Sequence, residues 1–147
     1  MKRYLVIGAV ATLLLAGCAG EAEEAGTPAA TPATPSASAG GPVTPLPGGK
    51  VVEVKMITDE KGNYFEPANF EVKKGDVIRF TLVQGVHNAH FLPDSNPGVQ
   101  GLPPAGPLLQ LPGQTTDVLV DWEPGEHFFQ CDPHALLGMV GHAKVVQ

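Results

Sequence analysis

Residues 131–139 read Cys-Asp-Pro-His-Ala-Leu-Leu-Gly-Met, which places a cysteine, a histidine and a methionine at the first, fourth and ninth positions. Cys131 is one of two cysteines in the chain, and the other, Cys18, belongs to an N-terminal export signal described below. Once Cys18 is modified in an oxidising compartment, Cys131 has no partner for an intramolecular disulfide. A free thiol with His134 and Met139 at this spacing indicates a metal ligand.

A second histidine, His87, lies upstream at the end of a predicted strand and is a fourth candidate ligand. One thiolate, two imidazoles and one thioether form the donor set of a type 1 copper site, which tolerates both Cu(I) and Cu(II). Zinc would bind the same donors, but structural zinc sites rarely use methionine and catalytic ones keep a position open. The donor set therefore favours copper.

The remaining histidines are expected to lie outside this set. His90 follows His87 by three residues, so on an extended strand its side chain points to the opposite face. His127 is expected to be a surface or turn-packing residue, and His142 is expected to face solvent on the last strand.

From residue 50 onward the sequence predicts short strands separated by turns rich in glycine and proline. The predicted strands cover residues 51–57, 70–72, 77–83, 88–92, 115–122, 126–131 and 138–146. No stretch of ten or more residues has a helical period, so the pattern predicts an all-β sandwich. Residues 93–113 carry no strand pattern and predict a long loop of the kind that is usually functional or a local excursion.

Residues 50–147 resemble the cupredoxins, most closely the plastocyanin-like and azurin-like single-domain proteins. The resemblance rests on the Cys-x2-His-x4-Met loop and on four further motifs: Phe-Glu-Pro at 65–67, Lys-Lys-Gly-Asp at 73–76, His-Asn at 87–88 and Pro-Gly-Glu at 124–126. It implies a Greek-key β-sandwich of seven to eight strands. It also implies that His87, Cys131, His134 and Met139 bind one copper ion, with Met139 as the weak axial ligand.

The same resemblance implies a function. In the family the second histidine ligand protrudes through an apolar patch that docks against redox proteins, which here points to His134 with Pro133, Leu136 and Leu137. We expect a monomeric one-electron carrier and no enzyme, because the domain has one copper site and no obvious general base. A copper-binding protein that delivers metal to an oxidase, or buffers it, is the alternative. Such proteins usually have exposed sites richer in methionine and histidine.

The N-terminus predicts export. Residues 1–17 combine Met-Lys-Arg with an apolar run that is too short to span a bilayer, and Cys18 follows the small residues at its end. The segment resembles a bacterial lipoprotein signal, which implies cleavage before Cys18 and lipid attachment to that residue. The alternatives are a plain export signal and an uncleaved anchor. We expect a protein held on a membrane and facing the periplasm or the cell exterior.

The predicted organisation is a signal over 1–17, a lipidated cysteine and disordered linker over 18–49, and a copper-binding domain over 50–147. Removal of Lys2 and Arg3 with the signal takes the formal net charge from −6 to −8. Such a charge makes nucleic acid an improbable partner. It could steer a basic protein partner, or it could simply keep an exported protein soluble.

Overall fold

The computed structural model describes residues 42–147, which contain seven strands and two short 3₁₀ turns. The turns cover Pro93–Ser95 and Asp132–Leu137. The strands are β1 (Val51–Asp59), β2 (Gly62–Glu66), β3 (Asn69–Lys73), β4 (Val77–Leu82), β5 (Thr115–Leu119), β6 (Gly125–Gln130) and β7 (Val140–Val146).

Two sheets form a sandwich. One sheet has the strand order β2-β1-β4-β5 and the other has the order β3-β7-β6. The pairs β1–β2, β4–β5 and β6–β7 are antiparallel, whereas β1–β4 and β3–β7 are parallel. The prediction of an all-β sandwich of seven to eight strands is confirmed.

Aromatic side chains fill the space between the sheets. Phe129 lies at the centre, with ring centroids 4.8 Å from Phe65, 5.4 Å from Phe80 and 5.2 Å from Phe91. All four rings are at most 3% exposed. Such tilted and edge-to-face pairs add to the free energy gained from burying apolar area. The core therefore joins residues of both sheets into one cluster.

The strands differ from the prediction at two places. Residues 62–66 form β2, although Gly62 and Asn63 read as part of a turn; the turn is confined to Glu60 and Lys61. The predicted strand over 88–92 is wrong, because this segment crosses from one sheet to the other. It makes only isolated bridges, one from His90 to Gln130 and one just before it from His87 to Leu109.

The long loop over 93–113 covers the edge of β6. Asn96 is 4% exposed, and its side chain accepts the backbone N–H of Phe128 at 2.7 Å and donates to the backbone C=O of Phe128 at 2.9 Å. The Trp122 indole N–H donates to the Gly101 carbonyl at 3.3 Å. The loop thus satisfies backbone groups that an edge strand would otherwise leave unpaired.

Contacts with the domain begin upstream of the predicted boundary at residue 50. The backbone N–H of Val43 donates to Asp117 Oδ2 at 2.8 Å, and that of Leu46 donates to the Gly75 carbonyl at 2.9 Å. Asp117 also accepts two bonds from the Arg79 guanidinium, at 2.8 and 2.7 Å.

The predicted signal over 1–17, Cys18 and the linker as far as residue 41 lie outside the described residues. Within residues 42–147, no helix is long and apolar enough to cross a membrane.

Candidate metal centre

The predicted ligand residues come from two segments that are far apart in the chain. His87 follows β4 and is held by backbone hydrogen bonds in both directions with Leu109, at 3.1 and 2.8 Å. Cys131 follows β6 directly, His134 lies in the 3₁₀ turn, and Met139 precedes β7. Three of the four residues therefore lie in the connection between the last two strands, as predicted.

Three donor atoms form a small triangle. His87 Nδ1 lies 3.1 Å from His134 Nδ1, and Cys131 Sγ lies 3.5 Å from His87 Nδ1 and 3.4 Å from His134 Nδ1. The point equidistant from these atoms is about 1.9 Å from each, close to the ~2.0–2.3 Å that imidazole nitrogen and thiolate sulfur keep to zinc. Within residues 42–147, this is the one group of at least three His, Cys, Asp or Glu residues whose ligand atoms all lie within 4.8 Å of one another. The three donor atoms therefore leave space for a metal ion at ordinary coordination distances.

Met139 closes the connection between the two strands. Its side chain is fully buried, and its backbone carbonyl accepts the N–H of Cys131 at 3.1 Å. Its own N–H donates to the carbonyl of His134, also at 3.1 Å. These two bonds fix the methionine relative to both other members of the loop.

Burial shifts the pKa values of His87 and Cys131 in opposite directions. His87 and Cys131 are 0% exposed, whereas His134 is partly exposed. Burial, together with the nearby His134, lowers the pKa of His87, although a bond to the Gln84 carbonyl opposes this. Burial raises the pKa of the Cys131 thiol, and the backbone N–H groups of Asn88 and His134 act in the opposite direction. A cation at this site would favour the thiolate and neutral imidazoles that it needs as ligands.

Asn88 joins the two ligand-bearing segments. Its side-chain oxygen accepts the backbone N–H of Asp132 at 2.8 Å, and its amide nitrogen donates to Asp132 Oδ2 at 2.8 Å. Asp132 also accepts bonds from Gln130 Nε2 at 3.0 Å and from His90 Nδ1 at 3.0 Å. Burial alone would raise the pKa of Asp132, but these bonds hold it below its usual value.

The other histidines lie outside the triangle. His90 bonds to Asp132, a contact that the sequence did not predict because it depends on the bridge between His90 and Gln130. His127 is 3% exposed and stacks on Trp122 with centroids 5.2 Å apart. The ring of His142 is 41% exposed on β7.

Exposed apolar side chains lie close in sequence to the two histidines of the triangle. Leu136 is 102% exposed and Leu137 is 70% exposed, and both lie in the same 3₁₀ turn as the histidine. Val86, next to His87, is 42% exposed. We call these three residues the copper-end patch.

Comparison with known proteins agrees with this geometry. A family described as copper binding proteins of the plastocyanin/azurin family matches residues 52–146, and the chain belongs to this family. It is a family of blue copper electron carriers rather than enzymes, and copper is its cofactor.

Individual relatives are plastocyanins. The chain is 37% identical to plastocyanin of Solanum crispum over 99 residues, covering 64% of this chain and 99% of the relative. It is 33% identical to plastocyanin of Prochlorothrix hollandica over 97 residues, covering 64% of this chain and 72% of the relative. The structure of oxidized plastocyanin from Dryopteris crassirhizoma is 28% identical with a TM-score of 0.52, covering 65% of this chain and all of that one.

Proposed function

We propose that this protein carries single electrons between redox partners, using one type 1 copper ion bound by His87, Cys131, His134 and Met139. The observation that supports this most strongly is the triangle of His87 Nδ1, His134 Nδ1 and Cys131 Sγ, with edges of 3.1 to 3.5 Å. Copper bound to such donors alternates between Cu(I) and Cu(II) and so takes up and releases one electron.

The residues around the site support fast electron transfer. His87 is held through its backbone by Leu109, and the Cys131 segment is tied to it through Asn88 and Asp132. A site whose ligands are fixed before the reaction needs little rearrangement when its charge changes. The chain therefore supplies rigidity and excludes water, and the metal supplies the redox change.

Voltammetry tests this proposal. The copper-loaded full-length protein should give a reversible one-electron wave and keep its copper over repeated cycles in the presence of a Cu(I) chelator. A protein that delivers or buffers copper would instead lose the metal to the chelator on reduction. The full burial of His87, Cys131 and Met139 argues against such exchange.

We propose that redox partners dock at the copper-end patch. Leu136 and Leu137 are exposed in the same turn as His134, which gives a partner a short route to the metal. In Leu136→Lys, electron-transfer rates to a partner cytochrome should fall while the copper spectrum stays intact. Val51→Lys is the matched control. Val51 is 37% exposed and lies at the start of β1, whereas the site is near the other end of this strand, where Thr58 contacts His87. Equal rates in both variants would refute the docking site.

We also propose that the protein is exported and anchored to a membrane through lipid on Cys18, facing the periplasm or the cell exterior. The support is the sequence of residues 1–18, with a basic start, an apolar run and a cysteine after small residues. More than one lipid chain gives stable anchoring. Radiolabelled palmitate should be incorporated into the wild type and not into Cys18→Ser, which should be released from the membrane fraction. Labelling of both would exclude Cys18 as the attachment point.

A further inference from the structure

Two polar groups contact His87 Nε2, the ring nitrogen that does not belong to the donor triangle, and one of them comes from the β1–β2 hairpin. Thr58 Oγ1 lies 2.9 Å from His87 Nε2, and the Gln84 carbonyl lies 3.1 Å from the same nitrogen. Thr58 Oγ1 in turn lies 2.7 Å from Asn63 Oδ1. The Gln84 carbonyl also accepts the backbone N–H of Thr58 at 2.9 Å.

The direction of these bonds follows from the groups themselves. A carbonyl oxygen can only accept, so the bond to Gln84 requires a proton on His87 Nε2. The Thr58 hydroxyl must then accept from that N–H, which leaves its own proton for Asn63 Oδ1. In this series of hydrogen bonds His87 donates to Thr58 and Thr58 donates to Asn63, so every donor has an acceptor. The result is the Nε2–H tautomer, whose free Nδ1 lone pair points into the triangle.

The hairpin positions Thr58 for this contact. Thr58 and Asn63 are directly opposed in the β1–β2 register, so their side chains lie on the same face of the sheet. That face is the core face, because Val54 and Met56 on the same side of β1 are fully buried. Thr58 therefore occupies the last position of an apolar row, where a hydroxyl needs a partner.

Gly85 leaves the space that the contact requires. A Cβ at this position would collide with Thr58 Oγ1 and with His87 Nε2, and the residue has a φ of +104°. Only glycine satisfies both the space and the backbone conformation. The register of the β1–β2 hairpin and the glycine at position 85 therefore both allow Thr58 to approach the His87 ring.

We propose that Thr58 and Asn63 are positioning residues for the metal centre: they give the His87 Nε2–H, which the Gln84 carbonyl already requires, a second acceptor, and they thereby strengthen Nδ1 as a donor to copper. The proposal rests on the proposed function, in which His87 is a ligand. An acceptor on the distal N–H of a ligating imidazole fixes its orientation and raises its basicity. A stronger donor favours Cu(II) over Cu(I), so the pair lowers the reduction potential.

The first test needs no copper. In the ¹H–¹⁵N NMR spectrum of the copper-free full-length protein, His87 should show a protected Nε2–H. In Thr58→Val and in Asn63→Ala, this proton should exchange with solvent about tenfold faster, because roughly one hydrogen bond is lost or weakened. Thr58→Ser retains the hydroxyl and should restore the wild-type rate. Thr81→Val, which removes a hydroxyl bonded to Glu53 at 3.2 Å, is the matched control and should change nothing.

The second test measures the reduction potential of the copper-loaded variants. Thr58→Val should weaken Cu(II) binding about tenfold more than Cu(I) binding, which raises a one-electron potential by ~59 mV. Unchanged potential and unchanged exchange in Thr58→Val would overturn the proposal, and so would an Nδ1–H tautomer in the copper-free wild type. Failure of the wild type to form a type 1 centre would instead refute the proposed function, and the copper-free NMR result would still decide the role of Thr58.

Discussion

Replacing Asn88 with alanine should destabilise the copper-free protein by about 2–3 kcal/mol. The side chain is 6% exposed and makes two bonds of 2.8 Å to Asp132, one from the backbone N–H and one to the carboxylate. The neutral bond contributes roughly 1 kcal/mol and the charged one roughly 1.5, the lower end of its range, because the Asp132 side chain is 39% exposed and water can replace part of the interaction.

The loss can be measured by urea unfolding of the copper-free protein. For a domain of this size, the same change should lower Tm by about 10–20 °C. Asn69→Ala is the matched control: this asparagine is exposed on β3, bonds only to His142 at 3.2 Å, and should change the free energy of unfolding by less than about 0.5 kcal/mol. If Asn88→Ala lies within 0.5 kcal/mol of the wild type, Asn88 does not hold the two segments together.

Two further predictions concern backbone space and charge. Gly85→Ala should be much more destabilising than Gly62→Ala in the same unfolding assay. Both glycines have positive φ, at +104° and +115°, but a Cβ meets side-chain atoms only at Gly85; equal losses would contradict this. Burial alone would raise the pKa of Asp117, but bonds from Arg79 and from the Val43 N–H hold this pKa below its usual value. The bonded carboxylate therefore stabilises the fold above pH ~4, and this contribution is lost as the pH falls through the acid range. Asp117→Asn should be less stable at pH 6 and show a shallower decline between pH 5 and pH 2, whereas parallel curves would exclude the pair as the cause.

The donor set was predictable because most of it is local. Cys131, His134 and Met139 lie in nine consecutive residues, and a cysteine without a disulfide partner already indicates a ligand. His87 is 44 residues away from Cys131; its place at the end of a predicted strand made it a candidate, and the resemblance of its His-Asn pair to a known family assigned it as a ligand. The loop spacing thus predicted the candidate ligands, and the short strands separated by turns predicted the sandwich that brings them together.

The roles of Thr58 and His90 beside the ligands were not predicted, because they depend on pairings between distant segments. Thr58 lies one residue beyond the predicted strand over 51–57, and its one signal is that it continues the row of Val54 and Met56. His90 reaches Asp132 because its backbone forms a bridge with Gln130, the last residue of β6. Strand β2 was missed because Gly62 and Asn63 favour turns, yet the tight turn before them lets both pair with β1.

The most direct test of the account is the visible and EPR spectrum of the copper-loaded full-length protein. Copper bound as proposed by one thiolate, two imidazoles and one thioether should give an intense blue colour and a narrow copper hyperfine splitting. Both features should disappear in Cys131→Ser, which removes the thiolate. A colourless Cu(II) complex of the wild type would contradict the assignment of His87, Cys131, His134 and Met139 as a type 1 centre.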